Sequence, residues 1–171
     1  DGREIKTPPM FFLGAAASPF SSNVKFQALR EQKKVNAGAQ FFQTNLIFDV
    51  DGMETWLNEL AKRNVLDKVF ILAGVTPIKS LKMAQRLADV PGVYLPKEIL
   101  HRIEVADRAG NAQEEGIQIA LEIISKIRGY EKQGIHGIHL MPVGWDEVIP
   151  RIVLEAGLTR RAQALPQFME V

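Results

Sequence analysis

The chain has 171 residues, 21 Lys+Arg against 20 Asp+Glu, 46% hydrophobic residues and no cysteine, a composition that fits one ordinary domain with a sizeable core. A net charge of +1 leaves no broad basic surface for nucleic acid or an acidic membrane, and no apolar run approaches the roughly 20 residues of a spanning helix. Zero Cys removes disulfide frameworks, thiolate metal sites and cysteine nucleophiles, and its compatibility with a reducing compartment makes the cytoplasm the default location. The first residue is Asp1 rather than Met, so the sequence predicts a chain that begins inside a longer protein.

Met10 to Ala17 is a short apolar run ending at Ser18-Pro19, the pattern of a buried strand entering a loop. Ser21 or Ser22 then offers a cap for a helix carrying Val24, Ala28, Leu29 and Val35 and stopping at Gly38. Gln40 to Phe48 is rich in aromatic and β-branched residues and closes at Asp49-Val50-Asp51-Gly52. Met53, Trp56, Leu57, Leu60 and Ala61 follow at helical spacing. Lys68 to Val75 is a third apolar run, followed by a helix with Leu81, Ala84, Leu87 and Ala88 on one stripe. Gly92 to Pro96 reads as a brief extended insert, and Ile117, Ala120, Leu121, Ile124 and Ile127 mark the clearest amphipathic helix. Gly134 to Val143 predicts a last strand. Trp145 to Glu155 predicts a helix with Pro150 in its first turns or kinking it. From Leu158 onward no long stripe recurs, so residues 159–171 read as a tail that lies across a neighbour.

Apolar strands alternating with helices predict a parallel sheet, α/β in class, with strands buried on both sides. Four such units build either a small doubly wound sheet or half of an eight-stranded barrel, and periodicity does not choose between them.

In either fold the working residues lie at the carboxyl ends of the strands. At the first end Gly14, Ala15, Ala16, Ala17 and Ser18 are all small, which admits a flat ligand to the backbone or simply fills a crowded layer. Along the second strand, alternation places Phe41, Gln43, Asn45 and Ile47 on one face and Phe42, Thr44, Leu46 and Phe48 on the other. Two neighbouring carboxamides thus share a face; they suit the donor–acceptor edge of a pyrimidine or pterin ring, or an internal network. Gly74 at the third end fits a tight turn. His136 and His139 face opposite sides of the last strand and cannot chelate one metal, and no other metal site is expected. His139 shares its face with Met141. Arg30 to Lys34 reads as the solvated face of a helix, from which Lys34 alternatively reaches a phosphate. No dinucleotide fingerprint, phosphate loop or nucleophile elbow is present.

Taken together FFLGAAASPF, KKVNAGAQFFQTNLIFD, FILAGVTPIKS, VPGVYLP and GIHGIHLMPVGWDEVIPRIVLEAGL resemble, in order and spacing, the later half of methylenetetrahydrofolate reductase. The most specific part is the series Lys34, Ala37-Gly38-Ala39, Thr44-Asn45 and Phe48-Asp49. The resemblance implies a flavin-dependent (β/α)8 barrel that passes hydride from a nicotinamide through flavin, FAD or FMN, to methylenetetrahydrofolate. It makes residues 1–158 the C-terminal half of that barrel, with the four units as strands five to eight, and residues 159–171 its tail. It places Ala15, Ala16, Ala17 and Ser18 against the flavin and Lys34 at the flavin's phosphate side. It places Gln43, Asn45, Met83, Leu87 and His139 at the folate.

Bacterial relatives have Gln at the Asn45 and Met83 positions, Phe at Leu87 and Arg at Trp145, and His-Pro-Glu where this chain has Ser18-Pro19-Phe20. The pattern is closer to variant members of anaerobic and archaeal-type one-carbon metabolism. The family's general-acid glutamate and flavin-tuning aspartate lie upstream of Asp1, so the resemblance implies no catalytic residue in this chain, inactivity in isolation, and completion by an N-terminal half, another subunit or oligomerisation. Two rival readings are a non-catalytic half barrel kept as a docking subunit and an unrelated flavodoxin-like module.

Overall fold

The computed structural model describes Thr7 and residues 10–158. Four strands, β1 (Gly14–Ala17), β2 (Phe41–Leu46), β3 (Phe70–Val75) and β4 (Gly137–Leu140), alternate with helices α1 (Val24–Asn36), α2 (Val50–Ala61), α3 (Leu81–Ala88), α4 (Lys97–Arg108), α5 (Ala112–Arg128) and α6 (Ile149–Glu155). All pairings are parallel and the spatial order is β1-β2-β3-β4. A parallel crossover is right-handed, so a sheet that always adds the next strand on the same side carries its helices on one face. A doubly wound sheet needs a reversal of strand order, which is absent among the described residues.

Burial follows this geometry. Phe42, Thr44 and Leu46 of β2 and Ile71, Ala73 and Val75 of β3 are buried under the helices, whereas Phe41, Gln43, Asn45, Phe70 and Leu72 are only partly covered or exposed. The expectation of strands buried on both sides is therefore corrected: the second face has no layer over it among the described residues. The same cause overturns the buried strand expected from Met10. The strand begins at Gly14, and Met10, Phe11, Phe12 and Leu13 are exposed, Met10 at 94%. Phe12 nonetheless stacks on Phe41 with ring centroids 5.2 Å apart.

Local rules set the element ends. Asn23 rather than Ser21 or Ser22 caps α1, its side chain accepting the Phe26 amide at 2.9 Å, and the chain leaves the helix at Gly38 with φ +103°, a backbone that glycine adopts without strain. Asp49 caps α2 by accepting the Gly52 amide at 2.9 Å, and Ser80 caps α3. The helix predicted over Trp145–Glu155 is a single 3-10 turn, Asp146–Val148, running into α6 with Pro150 in its first turn, where its missing amide costs nothing. The last strand is shorter than the predicted Gly134–Val143.

Helix α4 has no counterpart in the sequence reading. Ile103 is its only buried residue, a stripe too narrow to register as periodic. Arg102 holds it to α5, donating to Glu115 and to both oxygens of Glu122 at 2.7–2.8 Å. The main core lies between sheet and helices around Phe42, Met53, Trp56, Leu60, Ile71 and Ile124, all fully buried or nearly so. Among the described residues no helix is long and apolar enough to cross a membrane. Residues 159–171, expected as a tail, lie outside the described residues.

Candidate functional site

Strand register arranges the open face in rows. Ala16, Gln43, Leu72 and Gly137 stand side by side, and one step toward the carboxyl ends Gly74 and His139 are in register with Leu46, whose side chain is buried on the helix side. Between Gln43 and Leu46 the register shifts by one residue, the signature of a bulge that sets two residues against one. The Gly74 amide, left without a strand partner, donates instead to the Thr44 hydroxyl at 2.8 Å. The bulge also breaks the alternation: Ile47, expected beside Gln43 and Asn45, is buried at 1% exposure. Gly74 serves this close approach rather than a turn, because a Cβ there would sit 2.6 Å from the Thr44 carbonyl oxygen and 2.6 Å from Met141 Cε.

At the end of β1, Ala17 is buried toward the helices with Ala15 on the same side by alternation, whereas Ala16 is exposed on the open face. The Leu13 carbonyl accepts from Gln40 and Phe41, so it points to β2. By strand alternation the Ala16 carbonyl points to the free edge. Lys34 Nζ donates to that carbonyl at 2.5 Å. One turn earlier Glu31 is fully buried, which corrects the reading of Arg30–Lys34 as a solvated face. Its Oε1 accepts from the Ser18 amide and from Gln27 Nε2, both at 3.0 Å, and its Oε2 accepts from Trp56 Nε1 at 2.6 Å. The signal was present in the sequence, since Glu31 lies three residues after Ala28 and seven after Val24, on the apolar stripe.

Asn45 and Gln43 both lie on the open face. Asn45 Oδ1 accepts from the Leu46 amide at 2.9 Å and Nδ2 donates to the Pro91 carbonyl at 3.2 Å. One N–H and one lone pair of the amide are left over. The chain at Pro91 and Gly92, the start of the Gly92–Pro96 stretch expected as an extended insert, therefore lies against the carboxyl ends of β1 and β2: a Cβ at Gly92 would be 3.4 Å from Asn45 Nδ2 and 3.6 Å from Ser18 Oγ. Tyr94 meets Phe20 with centroids 6.1 Å apart.

Met83 and Leu87, one turn apart on α3, are buried with Ala84 in the core stripe. The two strand histidines differ. His136 Nδ1 accepts from the Ile71 amide at 3.2 Å, a structural role, whereas His139 Nδ1 is buried without a hydrogen-bond partner among the described residues. Beyond β4, Val143 holds φ +45°, a left-handed backbone that a β-branched residue adopts only under strain.

The family model of methylenetetrahydrofolate reductase matches residues 13–157. Curated relatives include methylenetetrahydrofolate reductase 1 of Schizosaccharomyces pombe, 25% identical over 73% of this chain and 20% of its own length. The 5,10-methylenetetrahydrofolate reductase of Escherichia coli is 23% identical over 71% of this chain and 40% of its own. That of Buchnera aphidicola from Acyrthosiphon pisum is 24% identical over 82% and 47%. The chain thus spans less than half the length of these relatives. In fold it is similar, with a TM-score of 0.62 and 22% identity, to a Clostridium thermocellum protein described as binding two copies of 5-methyl-5,6,7,8-tetrahydrofolic acid, over 86% of this chain and 53% of that one. The ordered parallel strands and the match across nearly every element lead to one conclusion: this chain belongs to the methylenetetrahydrofolate reductase family.

Proposed function

We propose that this chain is the C-terminal half, strands five to eight, of a flavin-dependent methylenetetrahydrofolate reductase barrel. The observation that carries the reading is the consecutive sheet order with, among the described residues, one uncovered face and two unpaired edges, the form of an arc of a cylinder. A complementary half, supplied by another stretch of chain or another subunit, closes it and brings the proton donor. Isolated, the chain is inactive.

The residues present fit a flavin. Gly14 and Ala16 leave the open face of β1 without a side chain larger than methyl, and Lys34 places a cation at the edge of β1 that has no strand partner among the described residues. In the bound state flavin, FAD or FMN, supplies the two-electron hydride transfer to methylenetetrahydrofolate. Ala16 on the open face and the backbone of Ala15 to Ser18 would line its pocket, and Lys34 would exchange the Ala16 carbonyl for a phosphate oxygen. Gln43 and the spare N–H and lone pair of Asn45 orient the pterin edge. Met83 and Leu87 back the folate site from α3, and His139 donates or accepts at its far side.

The test is to titrate the purified chain, with any chain that co-purifies, with FAD, FMN and 5-methyltetrahydrofolate, while recording the visible spectrum and the mass in solution. Flavin and folate binding by an assembly larger than one chain is the expected result. A colourless chain that binds neither ligand overturns the proposal.

A further inference from the structure

Glu31 is the one fully buried carboxylate in the chain's described residues, and none of the ion pairs formed by those residues includes it. A buried charge without a counter-ion is costly, and an apolar side chain would fill this stripe position of α1 at no such cost. What the carboxylate provides is direction. It accepts three hydrogen bonds from three separate places: the Ser18 amide at the end of β1, Gln27 on its own helix, and Trp56 on α2. One turn later on the same helix face, Lys34 holds the Ala16 carbonyl. Two side chains of one helix thus grip a three-residue segment, one by its amide and the other by its carbonyl.

That segment is the carboxyl end of β1, the rim where a parallel α/β fold carries its ligands. Its side chains are small, and of the three only Ala17 is packed in the core. We infer that Glu31 is a positioning residue. By holding the Ser18 amide it sets the path of Ala16–Ser18, and with it the distance between that turn and Lys34, so that an anionic cofactor arm fits between them. The inference rests on the proposed flavin site and adds to it a residue that touches neither flavin nor folate.

The test compares Glu31→Gln and Glu31→Asp with Ile124→Ala, which weakens the core on α5 away from β1. Gln keeps one acceptor oxygen where Glu has two, so it turns an N–H on either the Trp56 indole or the Ser18 and Gln27 donors, and Asp withdraws the carboxylate by one methylene. FMN and FAD affinity, 5-methyltetrahydrofolate affinity and the melting midpoint are measured for each in the full chain. The expected result is a loss of about tenfold or more in flavin affinity in both Glu31 variants, folate affinity within twofold of wild type, and no loss of flavin affinity in Ile124→Ala at a comparable drop in melting midpoint. Should the Gln variant fail to fold, the Asp variant carries the comparison. Unchanged flavin affinity in the Glu31 variants, or parallel losses of flavin and folate affinity matched by Ile124→Ala, overturns the inference and leaves the proposed function standing. A wild-type chain that binds folate but no flavin overturns both the flavin site and this inference.

Discussion

The hydroxyl of Thr44 accepts the amide of Gly74 at 2.8 Å and donates to the carbonyl of Asn45 at 2.7 Å, so one side chain holds the bulge that turns the end of β2. The geometry is what keeps Asn45 on the open face while Ile47, two residues on, is buried. Gly74 has no room for a methyl group, because the nearest atoms include the Thr44 and Asn45 carbonyl oxygens, which cannot yield as a side chain can.

Gly74→Ala is therefore expected to destabilise the fold by about 1–3 kcal/mol, the usual cost of overpacking. Thr44→Val, which strands the buried Gly74 amide, is expected to cost about 1–3 kcal/mol. Urea unfolding followed by circular dichroism measures both, and an unchanged midpoint for Gly74→Ala would show that the bulge relaxes freely.

Replacing Lys34 by Met removes the cation at the free edge of β1. Lys34 is partly exposed, so stability is expected to change by no more than about 0.5 kcal/mol. Loss of a charge-assisted contact, worth about 1.5–3 kcal/mol, is expected to lower flavin affinity tenfold or more in a fluorescence titration. Retained affinity would remove Lys34 from the flavin site.

Asn45→Leu is expected to weaken 5-methyltetrahydrofolate binding by about tenfold, a single hydrogen-bonded amide's share, while flavin content stays near that of wild type. Calorimetric titration of both ligands measures this. Equal folate affinity in the variant would assign Asn45 solely to holding Pro91.

Glu114 on α5 receives both terminal nitrogens of Arg151 on α6 at 2.7 Å, and this fork, with a further hydrogen bond from Gln118, lowers its carboxyl from the ordinary 4.5 to about 2. For a depressed carboxyl the contribution is fully present above the ordinary value and fades as pH falls toward 2. The α5–α6 link is thus expected to persist at pH 4 and to release only near pH 2, with a small effect on stability because the pair is exposed. NMR titration of the Glu114 carboxyl reads it directly. In Arg151→Met the midpoint should move back toward the ordinary range.

Met10 and Phe11 stand exposed just before β1, whose outer edge has no partner among the described residues, a combination that drives association. The chain is expected to show concentration-dependent mass by light scattering, reduced in the double variant Met10→Lys, Phe11→Lys. A constant monomer mass at all concentrations would contradict this.

Four strand–helix units, their α/β class and the carboxamides of Gln43 and Asn45 on one face were legible in the sequence, because hydrophobic periodicity records which side of each element meets the core. The motif series from Lys34 to Asp49 likewise carried the family. Strand order was not legible, since a doubly wound sheet and a barrel arc use the same apolar strands and differ only in where each crossover lands. The bulge at Thr44 and the Pro91 contact of Asn45 were equally hidden, because both depend on groups 30 and 46 residues apart in the chain. Glu31 lies between these cases. Its place on the apolar stripe was written in the sequence, but only the folded chain brings the Ser18 amide and the Trp56 indole to its carboxylate, and those donors are what make burial of the charge possible.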